Sequence, residues 1–177
     1  MEGSARCSPE ELLEFIRSRR SIRRYKPDKV PIDLVKKIID TTRYAPSAGN
    51  RQPWVFIVVE GEVKDKLAEL HKWAWPLKEA PLGILVACDE KTSPVTYHVD
   101  CANAAMYIML AAHALGLGTV WLNTLRVVDE ARKIVGLPEN YVPIALLALG
   151  YPDEKPEPKP RKPLDEILFL NKYGEKL

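Results

Sequence analysis

Apolar positions along the chain change period several times, and each change marks an element. Residues 9–19 carry Leu12, Leu13, Phe15 and Ile16 as an apolar stripe. Ser8, Pro9 and Glu11 supply an N-cap, a first-turn proline and a capping-box partner. Helical spacing returns over 31–44 through Ile32, Val35, Ile38 and Ile39. The turn formers of 46–50, PSAGN, stop that helix. Residues 54–60, WVFIVVE, form an unbroken β-branched run and predict a buried strand, and 62–74 return to a helical period. Residues 82–88, LGILVAC, predict a second strand, 119–123 a third and 143–149 a fourth, with a short helix over 127–135 stopped by Gly136. Between the second and third strands, 98–116 predict a helix ended by Gly116. From Cys101 to Leu115 only Asn103 and His113 are polar, so this helix has no solvent face. A helix apolar all round must be buried all round. In a chain of 177 residues that means a central helix packed against a second subunit. Strands separated by helices predict an α+β or α/β sheet.

The pattern breaks after residue 151. Residues 152–163, PDEKPEPKPRKP, hold five prolines and no aliphatic side chain, so they form an extended strap. Residues 164–177 regain Ile167, Leu168, Phe169 and Leu170, a tail that docks on a neighbouring subunit. The chain therefore reads as one domain, a core over 1–151 and a strap with its extension over 152–177. Hydrophobic residues at 46% and charged residues at 28% are globular values. A net charge of +2 gives no overall polycationic drive toward nucleic acid. No apolar run is long enough for a membrane anchor, and MEGSARCSPEELLEF lacks a signal-peptide core, so the expectation is a cytoplasmic protein. Cys88 and Cys101 lie in apolar runs and read as small buried thiols.

Four segments could carry chemistry. The run RSRRSIRRYK, 17–26, has six positive side chains and no acid. In an extended segment Arg19, Ser21 and Arg23 project to one side, a cradle suited to one phosphate. The competing reading is a solvated helix end whose arginines complement the helix dipole. The loop PSAGNRQPW, 46–54, offers the Asn50 and Gln52 amides, which both donate and accept and suit a flat heterocycle. Its competing reading is turn chemistry. GLGTVWLNT, 116–124, lacks the full dinucleotide fingerprint and reads as a helix stop feeding a strand. Lys159 and Arg161, two apart in the strap, either clamp an anion or are merely solvated.

Other chemistry is poorly represented. His71, His98 and His113 are scattered and pair with no cysteine cluster, so no metal site is expected; His113 reads as a satisfied core histidine. There is no GxSxG, no P-loop and no distinctive acid pair. Anion- and heterocycle-binding groups without a nucleophile or acid–base set point to a bound cofactor as the carrier of the chemistry.

In this order RRSIRRY, PSAGNRQPW, AAHALGLGTVWL and KPRKPLDEIL closely resemble the nitroreductase-like flavoprotein family, over about residues 12–168. The resemblance implies an α+β fold, a mostly antiparallel sheet flanked by helices, and an intertwined homodimer. It implies one FMN per subunit at the dimer interface, contacted by both chains. Arg19, Ser21 and Arg23 correspond to phosphate and ring-edge contacts, Lys159 and Arg161 to a C-terminal phosphate pair, and Arg20 to a variable position whose backbone lies near the flavin. Pro46, Ser47, Asn50 and Gln52 correspond to a flavin-proximal loop. Leu122, Asn123 and Thr124 correspond to the segment along the isoalloxazine, with the Thr124 backbone near N5. Several relatives carry Glu-Gly where this chain has Asn123-Thr124, and a family lid is trimmed around 89–97. The implied activity is reduction of the flavin by NADH or NADPH, then of nitroaromatics, quinones or flavins in a ping-pong scheme, with no catalytic side chain. Reductive dehalogenation, flavin fragmentation and a non-enzymatic flavin- or nucleic-acid-binding dimer are the alternatives.

Overall fold

Four strands form one sheet in the order β1-β2-β4-β3, every neighbour antiparallel: β1 Trp54–Val59, β2 Leu82–Asp89, β3 Gly118–Asn123 and β4 Tyr141–Gly150. The antiparallel pairing settles the fold as α+β. The computed structural model describes residues 7–177; residues 1–6, the start of the stretch read as lacking a signal core, lie outside them. Among the described residues no helix is long and apolar enough to cross a membrane, and no His/Cys/Asp/Glu group could hold a metal ion.

The helices follow the sequence pattern closely. α1 spans Pro9–Ser18, with the Ser8/Glu11 capping box formed in both directions. α2 spans Ile32–Thr42. The single helix expected over 62–74 is instead α3, Gly61–Glu69, a 3-10 turn at Lys72–Ala74, and α4, Trp75–Glu79. The break folds the segment back so that Leu67, Ala74 and Leu77 bury in one cluster. α5 spans Tyr97–Ala114 and α6 spans Val128–Val135. α7, Leu164–Ile167, is a single turn in the tail.

Both sheet faces are covered, which is why β2 reads as a continuous apolar run rather than an alternating one. Ile84, Val86 and Cys88 pack with Val35, Ile38, Ala104 and Ile108 from α2 and α5. Leu85 and Ala87 face the other way, onto Leu67, Leu77 and Ala131. The all-round burial expected of α5 is incomplete within one chain: Val99, Met106 and Tyr107 are 48%, 41% and 36% exposed. α1 buries no residue; Leu12, Leu13 and Ile16 are exposed, as are the tail residues Leu164, Ile167 and Leu170.

One sequence expectation is corrected. Cys88 and Cys101 are buried as expected, but they are joined as a disulfide rather than held as thiols. They are 13 residues apart with no diagnostic spacing, and only the packing of α5 on β2 brings them together. Closing a loop of that length stabilises by about 3 kcal/mol on chain-entropy grounds. A Cys88→Ala/Cys101→Ala variant is therefore expected to lose about that amount in denaturant unfolding. An unchanged midpoint would mean that the bond contributes nothing.

β3 begins and β4 ends with two glycines paired across the ladder, Gly118 and Gly150. A Cβ on Gly118 would lie 2.7 Å from Ile22 Cβ, and one on Gly150 would lie 2.9 Å from Tyr25 Cδ1. The bare backbone there forms a seat for the segment that follows α1.

Candidate functional site

Ile22 and Tyr25 occupy that seat, each 7% exposed. Ser21 bridges Thr119 in parallel, and the Ile22 N–H donates to the Thr119 carbonyl at 2.9 Å. Further along, Tyr25 bridges Pro152, and the Lys26 N–H donates to the Tyr151 carbonyl at 2.9 Å. With the apolar residues turned onto the sheet, Arg19 and Ser21 are left half-buried and Arg23 exposed. The strap crosses the same segment. The Glu154 carboxylate accepts from the backbone N–H groups of Arg23 and Arg24, and the Asp153 N–H donates to the Arg24 carbonyl at 3.0 Å.

This crossing closes a cavity of about 150 Å³ whose charged and hydroxyl lining is Arg19, Arg20, Ser21, Arg23, Lys159 and Arg161, opposed by Glu157. The extended segment thus gathers Arg19, Ser21 and Arg23 as expected, and the strap adds its two cations. Arg20 also lines the cavity; its guanidinium donates to the carbonyls of Arg17 and Arg19. Arg19 Nη1 and Arg20 Nε are buried without a hydrogen-bond partner. Burial foremost, then Arg20 and Arg161, lowers the Arg19 pKa from its ordinary value. Unpaired buried donors and an excess of positive charge are what an anion would satisfy. A three-oxygen dianion matches the donor set, so the residues present fit a phosphate group.

A second cavity of about 450 Å³ adjoins the first and shares Arg19 and Arg20 with it. His113 lines it, half-buried rather than in the core, with Nε2 2.9 Å from the Ser18 hydroxyl and its ring stacked on Phe15. Burial, then Arg19, lowers its pKa from 6.5, with Arg20 contributing. Below that ordinary value the unfolded chain binds a proton that the folded chain does not. His113 therefore subtracts stability as pH falls from 6.5 toward its folded value, and nothing above it. An anion beside the two arginines cancels their repulsion and raises the His113 pKa. An imidazole NMR titration with and without inorganic phosphate is expected to show that rise. Identical curves would mean that no anion sits there.

The remaining expected residues lie elsewhere. Pro46, Ser47, Asn50 and Gln52 precede β1, at the opposite edge of the sheet from β3. Asn50 and Gln52 are exposed. Two strands separate that edge from β3, about 14 Å at ordinary strand spacing. Leu122, Asn123 and Thr124 lie at the far end of β3, about 13 Å along the strand from Thr119. Leu122 is buried, Asn123 Oδ1 accepts from the Leu125 N–H at 2.9 Å, and the Thr124 hydroxyl donates to the Pro143 carbonyl at 3.0 Å. The cradle and 122–124 thus share one edge strand, while the loop 46–52 stands across the sheet.

The connection of β2 to α5, where the lid is expected to be trimmed, is short and tied down. Asp89 accepts from Thr92 Oγ1 at 2.5 Å, Asn140 Nδ2 at 2.8 Å and the Lys91 N–H at 2.9 Å, and these bonds, Thr92 first, lower its carboxyl pKa. Residues 90–96 form a run of turns between β2 and α5.

Sequence reasoning missed Glu154, which is one acid among many in a charged strap. It also missed the role of Gly118, visible in the sequence as part of GLG but read only as a strand entry.

A family model described as the nitroreductase family matches residues 16–97 and 77–151. A protein of Methanothermobacter thermautotrophicus, named as a candidate NADH dehydrogenase/NAD(P)H nitroreductase, is 40% identical over 157 residues, 85% of this chain and 82% of its own. An iodotyrosine deiodinase of Thermotoga neapolitana is 31% identical over 183 residues, 89% of this chain and 95% of its own. Among solved structures, a candidate nitroreductase of Desulfovibrio desulfuricans in complex with FMN superposes with a TM-score of 0.82 at 32% identity, covering 95% of this chain and 99% of that one.

Proposed function

The chain belongs to the nitroreductase family, and from that premise we propose that it is an FMN-dependent oxidoreductase that takes reducing equivalents from NADH or NADPH and delivers them to a small acceptor. The observation that carries this reading is the basic cavity with its two buried, unpartnered guanidinium N–H groups. Arg19, Ser21, Lys159 and Arg161 would hold the FMN phosphate, with Arg20 beside it, and Arg23 would reach the ring edge. When bound, the flavin supplies the hydride-accepting and hydride-donating chemistry for which this chain has no side chain. The chain's own residues hold, orient and charge-stabilise.

The placement of the loop 46–52 across the sheet from the cradle favours a site built by two copies. In that homodimer the Pro46, Ser47, Asn50 and Gln52 loop of one subunit serves the cradle and the Leu122–Thr124 segment of the other. The open stripes on α1 and α5 and the tail after the strap would form the shared surface. Nitroaromatics, quinones and flavins are the acceptors proposed.

Reductive dehalogenation is the second reading, supported by the deiodinase relative. Anaerobic mixing of flavin-loaded protein with NADH and with NADPH is expected to bleach the visible flavin bands, and a nitroaromatic to restore them. Bands that neither nicotinamide bleaches, in a protein that releases iodide from iodotyrosine with dithionite, would replace the first reading with the second.

A further inference from the structure

Backbone torsions in the loop 46–52 are unusual for their sequence. Gly49, Asn50 and Gln52 have φ of 58°, 53° and 48°, so three of four consecutive residues are left-handed and two of those carry a Cβ. Such a conformation persists only where its surroundings over-determine it. Bonds inside the loop set its shape: the Asn50 and Arg51 N–H groups donate to the Ser47 and Ala48 carbonyls at 3.0 and 3.2 Å, the Gln52 N–H to Ser47 Oγ at 3.0 Å, the Gln52 amide to the Asn50 carbonyl at 3.3 Å, and the Arg51 guanidinium to the Ala48 carbonyl at 3.0 Å. None of these fixes where the loop sits. That is done from α5, where Asp100 Oδ1 accepts from the Ala48 N–H at 3.0 Å and Asn103 Nδ2 donates to the Pro46 carbonyl at 3.2 Å.

Asp100 is itself firmly set. It is 2% exposed, and its Oδ2 accepts from Ser93 Oγ at 2.7 Å and Thr96 Oγ1 at 3.1 Å. The next residue, Cys101, is bonded to Cys88 of β2, which fixes the first turn of α5 against the sheet. An acid in the first turn also suits the helix dipole. That role needs no bond to a loop fifty-two residues away in sequence.

We propose that Asp100 is a positioning residue for the cofactor: its carboxylate, aimed by Ser93 and Thr96, fixes the strained loop 46–52 through the Ala48 N–H, with Asn103 as the second anchor, so that Ser47, Asn50 and Gln52 are presented in one arrangement to the flavin. This rests on the reading of that loop as flavin-facing. Removing the acceptor leaves a donor unpaired and lets the loop relax toward ordinary torsions, so the loss appears in cofactor binding and not only in the fold.

The test compares wild type with Asp100→Ala, Asp100→Asn and Asn103→Ala by flavin-fluorescence titration, visible circular dichroism of the bound flavin and thermal unfolding. Asp100→Ala is expected to weaken FMN about ten-fold, the effect of one partly buried donor left unpaired, and to change the flavin dichroism. Asp100→Asn keeps an oxygen for the Ala48 N–H and is expected to recover most of the affinity. Asn103→Ala is expected to weaken FMN less and to change the dichroism in the same sense. A purely structural Asp100 would lower the unfolding temperature and leave affinity and dichroism of the folded protein as in wild type, which would overturn the proposal. Should Asp100→Ala fail to fold, an Asn103→Ala protein with wild-type dichroism overturns it equally. Hydrogen exchange at the Ala48 amide decides the anchoring without flavin: slow in wild type and faster in the variants supports it, and equal rates refute it. A wild type that holds no FMN would remove the functional reading while leaving that exchange result standing.

Discussion

Arg19→Ala is expected to weaken FMN binding by ten- to a hundred-fold while leaving the much weaker binding of riboflavin, which lacks the phosphate, nearly unchanged. One charge-assisted hydrogen bond to a phosphate contributes about 1.5–3 kcal/mol, and each 1.4 kcal/mol is about a factor of ten. Arg19 belongs at the upper end because its guanidinium is partly desolvated, carries a buried donor without a partner, and sits among other cations. Arg161, exposed on the strap, works through solvent, so Arg161→Ala is expected to cost less and to lose its effect sooner as salt rises. Titration of apo-protein with FMN and riboflavin at two ionic strengths separates these contributions. Unchanged FMN affinity in both variants would remove the phosphate from the cradle.

Gly118→Ala is expected to damage stability and cofactor retention together. Its new Cβ would lie 2.7 Å from both Ile22 Cβ and Ile22 Cγ1, and Ile22 is held to Thr119 through the backbone, so the branched side chain cannot simply swing aside. Over-packing of this kind costs about 1–3 kcal/mol. The segment that must move to relieve it carries Arg19, Ser21 and Arg23, so the cradle is distorted by the same shift. Gly136→Ala is the matched control: that position has φ of 69° and nothing within 4 Å of a Cβ, so it is expected to lose about 1 kcal/mol through backbone strain and to keep its flavin. Equal FMN affinity in the Gly118→Ala protein would show that the glycine seat serves packing alone.

Local elements are legible in the sequence because their signals depend on neighbours in the chain. The Ser8/Glu11 cap, the stops at Gly116 and Gly136 and the four β-branched or apolar runs all became the elements they indicate. Pairing order was not legible, since β2 meets β4 before β3 only through contacts made across the chain. The break between α3 and α4 escaped for the same reason: the helical period continues through it, and only the shared burial of Leu67 and Leu77 explains the bend. At the site, Arg19, Ser21 and Arg23 were visible as spacing in a charged run. Their closure by Lys159 and Arg161 rested on the family resemblance. Glu154, Gly118 and the Cys88–Cys101 bond had no local signature, because each owes its role to a residue distant in sequence.

The bond from Glu154 to the Arg23 N–H joins residues 131 apart, and the rest of the cradle spans a similar interval. During synthesis the N-terminal arginines leave the ribosome long before the strap that completes them. The sheet can form and bury Ile22 as soon as β4 has emerged, yet the phosphate cavity still lacks a wall. On the proposed reading, FMN capture waits for the strap to emerge, after the fold that it loads. A chain broken off after β4 would leave its arginine cluster open to any passing polyanion.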